Sequence, residues 1–472
     1  MERNTKRIIV VVALIAVIGG GIGIGVFILL QPAGEGTNVY EYPGLTGAKP
    51  ALAQTVKIGL MDDMTYAYGQ LTWIGMKLAA GAINGGGGVD IGGTTYYIGV
   101  TYEDTKEAAY LYETAYSAAL RMIEKDPDVI IGGFRSEVAE TYIPVIMAAN
   151  IPFIGTGCAT TDFCSVNVKN NIWPYFFRTM PQNSFWLGNA TNHLVTNVII
   201  PDMISKGIDL NKTTIIYEEL IWTIDIKNYI IDAFELIGNA SLPTHIPGVT
   251  LSGTNITAQP ISASWTKSQF DAYWGVIDGR GDQLVIPIIS DLSLGRFFGD
   301  GYNNTKPDCL VAGINVAHQL SGYLSDSGGC EYEISFTGPQ NVSATPGMVA
   351  FWNTFVAATG GLYEPVYTSL GAYDAVMLIA NVTDDADSLV YTDIVAQLET
   401  ITETNFFQAA GSKIAFDQYH DVLGTIPGQR EGYFFPLFIQ FDGNGIKQVL
   451  PSAGGYPPVN TSSLMYPDWW NF

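Results

Sequence analysis

Two adjacent carboxylates, Asp62 and Asp63, are the first residues whose type and spacing could support chemistry. Paired carboxylates act as general acid and general base when both face the same substrate. Adjacent residues on an extended chain point to opposite sides, and no nucleophile or further partner is identifiable near them. We therefore expect Asp62 and Asp63 to be solvated loop acids rather than catalytic residues.

The motifs of several enzyme classes are missing from the sequence. It contains no GxSxG, no HExxH and no P-loop GxxxxGK[ST], so we expect neither a hydrolase nor an ATPase. The glycine-rich run at residues 155–161 lacks the third glycine and the following apolar helix of a dinucleotide-binding loop. We therefore expect no enzymatic activity and no cofactor.

A strand, a loop and a helix open the folded part of the chain. Residues 56–60 alternate and begin with a β-branched residue, which predicts a short buried strand. Apolar residues then recur at helical spacing from Leu71 to Ile83, until a glycine run ends the helix. Further strands are predicted at 95–102 and 128–132, with a helix between them. This alternation predicts an α/β fold with a parallel sheet that binds ligands at the carboxyl ends of its strands.

A longer series of motifs extends this pattern. It comprises KIGLMDDMTYAYGQLTWIGMKLAAGAINGGGGVDIGG, DPDVIIGGFRSE, IPVIMAANIPFIGTG, YFFRTMPQN, GAYDAVMLIA, KIAFDQYHD and FIQFDGNG. In order and spacing, the series is similar to the type I periplasmic binding proteins that resemble the leucine/isoleucine/valine-binding protein, the substrate-binding components of ABC transporters. The resemblance covers residues 55 to about 452 and is strongest at its beginning.

The resemblance implies two α/β lobes, each with a doubly wound parallel sheet, joined by a three-strand hinge. We expect the first lobe to contain residues 54–180 and 340–428. The second lobe would contain residues 181–339 and 429–455, followed by a C-terminal tail at 456–472. Two domains also suit a chain of 472 residues, which exceeds what one core usually supports.

In the resembled family the ligand, most often an amino acid, lies between the lobes. Hydroxyls and backbone N–H groups at strand ends of the first lobe hold its carboxylate. The corresponding strand ends here are residues 132–136 and 155–161, where N–H donors near helix starts suit an anion. The candidates are Arg135, Ser136, Cys158, Ala159, Thr160 and Thr161. Ser136 could equally be a plain N-cap of a helix over residues 137–149.

Further candidates are implied around this cleft. Tyr66 and Tyr68 would either line it or pack beside it, and Trp222 falls where the family often places an aromatic residue over the ligand. In the second lobe, Ser290, Asp291 and Asn315 end two predicted strands. The acid that usually meets the ligand's ammonium should lie near Asn315, but GINVAHQ has none. Asp291 or Glu219 could substitute; otherwise a neutral or carboxylate-only ligand becomes plausible.

The N-terminus contains an uncharged stretch of 23 residues at 8–30, IIVVVALIAVIGGGIGIGVFILL. As a helix this stretch could cross a hydrocarbon core about 30 Å thick. Arg3, Lys6 and Arg7 precede it, which places residues 1–7 in the cytoplasm and the bulk of the chain outside the cell membrane. Residues 31–53, with three prolines and four glycines, predict a flexible tether. The alternative is a signal peptide cleaved after Ala51-Leu52-Ala53.

The four cysteines predict disulfide bonds, because an exported chain with an even number of cysteines favours them. Pairing Cys158 with Cys164 and Cys309 with Cys330 is the most economical of three connectivities. Metal binding is the alternative. It is disfavoured because no CxxC occurs and the four histidines show no ligand spacing, so we expect no metal.

Sequons also favour an extracellular location. N-x-S/T occurs at Asn189, Asn211, Asn239, Asn255, Asn303, Asn341, Asn381 and Asn460. This is about twice the number expected by chance from the serine and threonine content, so we expect a glycoprotein.

Charge and partners complete the interpretation. The net charge of −23 offers no basic surface, which excludes a nucleic-acid partner. We expect a membrane-anchored extracellular protein that binds a small polar ligand, an amino acid or a related carboxylate or amide, and delivers it to an ABC permease. The permease and ATPase subunits would be separate chains. A ligand-sensing ectodomain with a signalling partner and a structural cell-surface glycoprotein that reuses the fold stay open as alternatives.

Overall fold

The computed structural model describes residues 10–18, 21–29, 38–180, 183–342, 345, 347–424, 432–433, 437–442, 447–449 and 464–470. Its strands are β1 (Val10–Ile18), β2 (Gly21–Leu29), β3 (Thr55–Asp62), β4 (Val89–Ile91), β5 (Thr94–Asp104), β6 (Val129–Gly132), β7 (Phe153–Gly155), β8 (Phe176–Arg178), β9 (Thr213–Glu218), β10 (Ile256–Ile261), β11 (Leu284–Ile289), β12 (Leu310–Asn315), β13 (Ile334–Thr337), β14 (Phe407–Gln408), β15 (Lys413–Ile414), β16 (Leu437–Phe441) and β17 (Lys447–Val449).

Helices follow most of these strands. They are α1 (Ala67–Gly85), α2 (Tyr112–Glu124), α3 (Ser136–Ala148), α4 (Ser184–Leu194), α5 (Ile200–Ser205), α6 (Ile221–Gly238), α7 (Lys267–Arg280), α8 (Leu292–Thr305), α9 (Tyr323–Asp326), α10 (Met348–Ala358), α11 (Tyr367–Asp385) and α12 (Tyr391–Glu399). The strand–helix alternation predicted from the sequence is therefore observed.

Two sheets form the centres of two lobes. The first sheet has the order β4-β5-β3-β6-β7-β8 and is parallel except for the β4–β5 pair. The second has the order β10-β9-β11-β12-β13-β16-β17. Its first five strands are parallel, and the pairs β13–β16 and β16–β17 are antiparallel. The chain passes between the sheets three times, as the resemblance implies. The expected two-lobed α/β fold is thus confirmed.

The apolar core is continuous across the cleft between the lobes. One cluster of buried side chains extends from the second sheet to Tyr68, Phe134 and Ala159 of the first lobe. Two further clusters lie on the two faces of the first sheet. Burial of this apolar surface is the main source of stability, and it also holds the two lobes against each other.

Residues 10–18 and 21–29, the described part of the predicted membrane span, do not form the expected helix. In the structure β1 and β2 pair as antiparallel strands, with Val10 opposite Leu29 and Ile18 opposite Gly21. The many β-branched residues of this stretch favour strands over a helix. Apolar composition alone therefore did not predict the conformation of the stretch. Among the residues that the structure describes, none of the helices combines the length and the apolar composition needed to cross a bilayer.

Part of the predicted tether is docked on the first lobe. Tyr40 is 1% exposed and its hydroxyl donates to the Lys125 carbonyl at 2.9 Å. Glu41 and Val100 exchange backbone hydrogen bonds, so the segment lies along β5. Asn84 at the end of α1 donates to the Pro43 carbonyl. Proline and glycine content indicated flexibility, but residues 38–54 are held by a buried tyrosine and a short backbone pairing.

The disulfide prediction is wrong: Cys158, Cys164, Cys309 and Cys330 are all free, buried thiols. Cys158 and Cys164 lie in one apolar cluster and Cys309 and Cys330 in another. Burial raises the pKa of Cys158 to about 12, so its thiol stays protonated at neutral pH. Cys158, Cys164 and Cys309 act as small apolar side chains of the core, whereas the Cys330 thiol also donates to Glu333 at 3.2 Å.

The expectation for Asp62 and Asp63 is also wrong, because both are 2% exposed. Asp63 accepts hydrogen bonds from the backbone N–H groups of Thr65 and Ala108. Asp62 accepts from the Asp63 N–H, and burial raises its pKa well above the ordinary value. The two carboxylates therefore fix the turn after β3 instead of facing solvent.

Seven predicted glycosylation sites lie at the surface of the described residues. Asn239 and Asn341 are exposed, while Asn189, Asn211, Asn255, Asn303 and Asn381 are partly exposed. Asn460 lies outside the described residues. Glycosylation therefore stays a prediction.

Two further carboxyl groups are buried away from the cleft. Glu333, before β13, accepts from the Asn315 side chain at 2.9 Å and from the Tyr323 hydroxyl. Asp374 in α11 accepts from the N–H groups of Ala410 and Gly411. Burial raises the pKa of each to about 7. The folded protein therefore holds these protons at pH values where the unfolded chain has released them.

We expect Tyr40→Ala to lower the free energy of unfolding by about 3 kcal/mol, because it removes a buried aromatic ring. The control is Val39→Ala, since Val39 is 45% exposed and its truncation should cost less than about 0.5 kcal/mol. Urea unfolding of both variants measures the difference. Equal midpoints for the two variants would mean that residues 38–54 are not docked.

Acidification should stabilise the fold. Because the pKa of Glu333 is raised, its contribution to stability is present below about pH 4.5 and is lost as pH rises towards 7. Glu333→Gln should reduce the fall in unfolding free energy between pH 5 and pH 8 by about 2 kcal/mol. Urea unfolding at both pH values measures it, with the exposed Glu124→Gln as control. An unchanged pH dependence in Glu333→Gln would contradict the assignment.

Candidate ligand-binding cleft

A cavity lies where the carboxyl ends of the two sheets face each other. Its volume is about 410 Å³, counting its open mouth. Each lobe contributes six of its lining residues. Those of the first lobe are Phe134, Arg135, Ser136, Gly157, Ala159 and Tyr367, and those of the second are Leu187, Trp222, Ser290, Ile314, Val316 and Phe336. The cavity is therefore mostly apolar, with a single charged side chain in its wall.

Glycines shape the first-lobe wall of the cavity. Gly132 has φ 126°, and a Cβ there would lie 2.1 Å from the Met61 carbonyl oxygen. A Cβ on Gly157 would lie 2.3 Å from the Gly133 carbonyl oxygen. The chain after β6 can therefore turn sharply and bring Phe134 and Arg135 over the cavity only because these positions have no side chain.

A buried acid that sequence analysis missed holds this turn in place. Glu107 accepts from the backbone N–H groups of Phe134 and Arg135 at 2.7 and 2.6 Å, and from the Tyr142 hydroxyl at 2.8 Å. Burial raises the pKa of Glu107 to about 7, although these donors oppose the rise. Nothing in the sequence around Glu107 indicates this role, because its partners lie 27 residues and more along the chain.

Ser136 joins the two turns that the resemblance singled out. Its hydroxyl oxygen accepts from the N–H groups of Ala159 and Thr160, each at 3.2 Å. Arg135, rather than Ser136, occupies the N-cap position of α3. The structure therefore brings the predicted residues Arg135, Ser136 and Ala159 together at the cavity.

Three other candidates from the second turn do not line the cavity. Cys158 is fully buried in the core of the first lobe. The Thr160 carbonyl accepts from the Arg178 guanidinium at 2.5 Å, which fixes the turn from behind. The Thr161 hydroxyl is buried with no hydrogen-bond partner among the described residues.

Arg135 is the charged residue of the cavity, and its side chain is 1% exposed. Its Nη1 donates to the Ser290 hydroxyl at 2.7 Å and lies 3.6 Å from a Glu218 oxygen, and its Nη2 donates to Asp291 at 3.2 Å. Burial alone would lower the pKa of Arg135, but the nearby Glu218 carboxylate raises it above its ordinary value. The guanidinium is therefore charged and bridges the two lobes.

Tyr66 and Tyr68 also join the lobes. The Tyr66 hydroxyl accepts from the Leu292 N–H at the start of α8, and the Tyr68 hydroxyl donates to the Val316 carbonyl, both at 2.7 Å. Neither tyrosine is among the lining residues. Of the two interpretations open from the sequence, these contacts favour packing beside the cleft. Trp222, which is 7% exposed, does line the cavity.

Glu218 is a second-lobe acid beside Arg135, 3.6 Å from its Nη1, and sequence analysis missed it. It accepts from the Ser290 N–H, from the Ser290 hydroxyl at 2.7 Å and from the Asp291 N–H at 3.2 Å. The expected substitute Glu219 is exposed. Asp291 caps α8 by accepting from the N–H groups of Ser293 and Leu294. Alternation along β9 places Glu218 inside and Glu219 outside.

Asn315 does not face the cavity. Its side chain points into the second lobe and donates to Tyr323 and Glu333, each at 2.9 Å. Its neighbours Ile314 and Val316 line the cavity instead. The prediction was therefore displaced by one residue, which reverses the direction of a side chain at a strand end.

Comparisons with known proteins agree with this geometry. Residues 55–198 match the family model described as periplasmic binding protein. No curated protein sequence matches the chain.

Solved structures share the fold over most of the chain. A leucine-binding protein from Thermotoga maritima has 15% identity and a TM-score of 0.64, and the match covers 84% of this chain and 97% of that one. A branched-chain amino acid transporter substrate-binding protein from Streptococcus pneumoniae, in complex with isoleucine, has 16% identity and a TM-score of 0.63, covering 88% and 100%. An ABC transporter solute-binding protein from R. palustris, in complex with benzoate, has 15% identity and a TM-score of 0.63, covering 88% and 99%.

The resemblance seen in the sequence is therefore confirmed: residues 55–198 match the periplasmic binding protein family, and the chain has the two-lobed type I fold of the substrate-binding proteins of ABC transporters.

Proposed function

We propose that this chain is a solute-binding protein whose lobes close on a small molecule with a carboxylate and an apolar body, an amino acid or a related carboxylate or amide. The observation that carries the proposal is the cavity itself. Both lobes contribute equally to its wall, and it combines an apolar surface with one buried guanidinium.

The ligands of the similar structures support this class of molecule. Leucine, isoleucine and benzoate appear in the descriptions of structures that share the fold. All three have a carboxylate attached to an apolar body. In this chain Trp222, Phe336 and Leu187 would contact the apolar body, while Arg135 and Ser136 are placed near a carboxylate.

Closure would couple ligand capture to a change of shape. Groups on opposite lobes hydrogen-bond across the cleft, such as Arg135 with Ser290 and Tyr68 with Val316. A ligand that touches both walls adds to these contacts and shifts the population towards the closed form. A permease that recognises the closed form then receives loaded protein.

The transport partners would be an ABC permease and its ATPase, both on separate chains. We also propose that residues 8–30 hold the protein at the cell membrane with the lobes outside. The support is their length, their lack of charge and the three basic residues before them. In this arrangement the protein binds and delivers a ligand and performs no catalysis.

Native mass spectrometry of the full-length chain in detergent, followed by denaturing release, tests the proposal. A stoichiometric amino acid or small carboxylate should be released, or should raise the melting temperature when added. A protein that releases nothing and gains no thermal stability from amino acids, amides or organic acids would contradict it.

Trp222→Ala should weaken binding of the released ligand by about tenfold or more, because the variant loses a large aromatic contact in the cavity. Ile224→Ala is the matched control, since Ile224 lies in the same helix and is 41% exposed. Isothermal titration calorimetry measures both. Equal affinities for the two variants would place the ligand elsewhere.

Deletion of residues 1–37 should release the protein from membranes, because it removes the proposed anchor without reaching Tyr40. Membrane fractionation of the full-length and shortened chains measures the effect. The same membrane-bound fraction for both chains would contradict the anchor.

A further inference from the structure

Three acids around the cleft, Glu107, Glu218 and Asp291, are already bound to protein donors. Glu107 holds the N–H groups of the turn after β6, and Glu218 holds Ser290 and the Asp291 N–H. Asp291 accepts from the first N–H groups of α8 and from Arg135. None of these acids is among the cavity-lining residues. A ligand ammonium would therefore have to compete with donors that are built into the fold.

Arg135, unlike these acids, lines the cavity and has a polar group that is not hydrogen-bonded within the described part of the chain. It lines the cavity, its side chain is 1% exposed, and its Nε has no hydrogen-bond acceptor among the described residues. A buried guanidinium N–H without an acceptor is costly, so an anion in the cavity would relieve this cost. The N-terminus of α3, which begins at Ser136, adds a positive partial charge on the same side.

Glu218 and Asp291 are both held by donors of the protein. Glu218 shares its charge among two N–H groups and a hydroxyl, and Asp291 caps the positive end of α8. Arg135 lines the wall of the cavity, and neither Glu218 nor Asp291 is among the lining residues. Arg135 is therefore the charged side chain that a ligand in the cavity would meet.

We propose that the cavity selects apolar carboxylates that have no ammonium group over α-amino acids with the same carbon skeleton, and that Arg135 sets this preference. The inference rests on the proposed function, whose ligand class it narrows. An α-amino acid would bring a second cation next to the guanidinium and would bury its ammonium without a free carboxylate in the cavity wall. The carboxylate alone meets Arg135 and Ser136 and buries the same apolar surface.

Glu137 is the residue that could reverse this preference. It follows Ser136 in α3 and accepts from the Ile221 N–H at 2.7 Å through one oxygen. Its other oxygen, Oε2, is buried with no hydrogen-bond partner among the described residues, and Glu137 is not among the lining residues. It must therefore be included in the test.

The experiment is calorimetry on the full-length chain with ligand pairs that differ only in the amino group. The pairs are 4-methylpentanoate with leucine and 3-phenylpropanoate with phenylalanine. We expect the carboxylate of at least one pair to bind at least about tenfold more tightly than its amino acid. Tighter or equal binding of the amino acid in every pair would overturn the inference and leave the proposed function intact. Failure of all four to bind would overturn this specificity, and the released-ligand experiment would decide the proposed function separately.

Arg135→Gln tests the assigned residue. It should weaken carboxylate binding by at least about tenfold and shift the preference towards the amino acid, because Glu218 and Asp291 lose their cation. Arg135→Lys keeps the charge and should keep the preference, even if Arg135→Gln folds poorly. Arg121→Gln, at a 49% exposed arginine paired with Glu103, is the matched control. An unchanged preference in Arg135→Gln, or amino-acid binding that is lost in Glu137→Gln, would overturn the role of Arg135.

Discussion

One buried cation, the guanidinium of Arg135, links the polar groups of the two lobes at the cleft. A buried charge is stable only when it is paired and hydrogen-bonded, and here the partners come from the opposite lobe. Ser290 and Asp291 are in place because Glu218 binds both of their N–H groups. Arg135 itself is in place because Glu107 binds its N–H. Two acids in two lobes therefore position one cation between them.

The glycines and the helix starts also help to position Arg135 between the lobes. Gly132 allows the chain to turn directly after β6, so that Arg135 caps α3 and reaches across the cleft. Strands β6, β9 and β11 each end where a turn leads into a helix, and the polar groups of these turns meet. The binding site is thus a property of strand ends from two sheets, which is why it lies at the carboxyl edge of both.

The sequence predicted those features that depend on local pattern. Strand–helix alternation is a local property, and it was sufficient for the α/β fold with a parallel sheet. The two lobes and the turns that carry Arg135, Ser136 and Ala159 were implied by the resemblance to a known family. Features that depend on distant partners were missed. Glu107 and Glu218 acquire their roles from backbone groups far along the chain, and Asn315 differs from its cavity-lining neighbours by a single step of strand alternation. The cysteines show the same limit, because spacing along the chain does not reveal the burial of a thiol.

The docking of Tyr40 changes the length of chain available between the lobes and residues 8–30. A tether of residues 31–53 would span up to about 80 Å, whereas residues 31–37 span at most about 25 Å. If residues 8–30 lie in a membrane, the distance between the first lobe and the lipid surface is therefore shorter than the diameter of the lobe. Strand β5, along which residues 38–54 lie, would then be on the membrane side of the first lobe. Opening and closing of the cleft would then move the second lobe, while the first lobe stays close to the membrane.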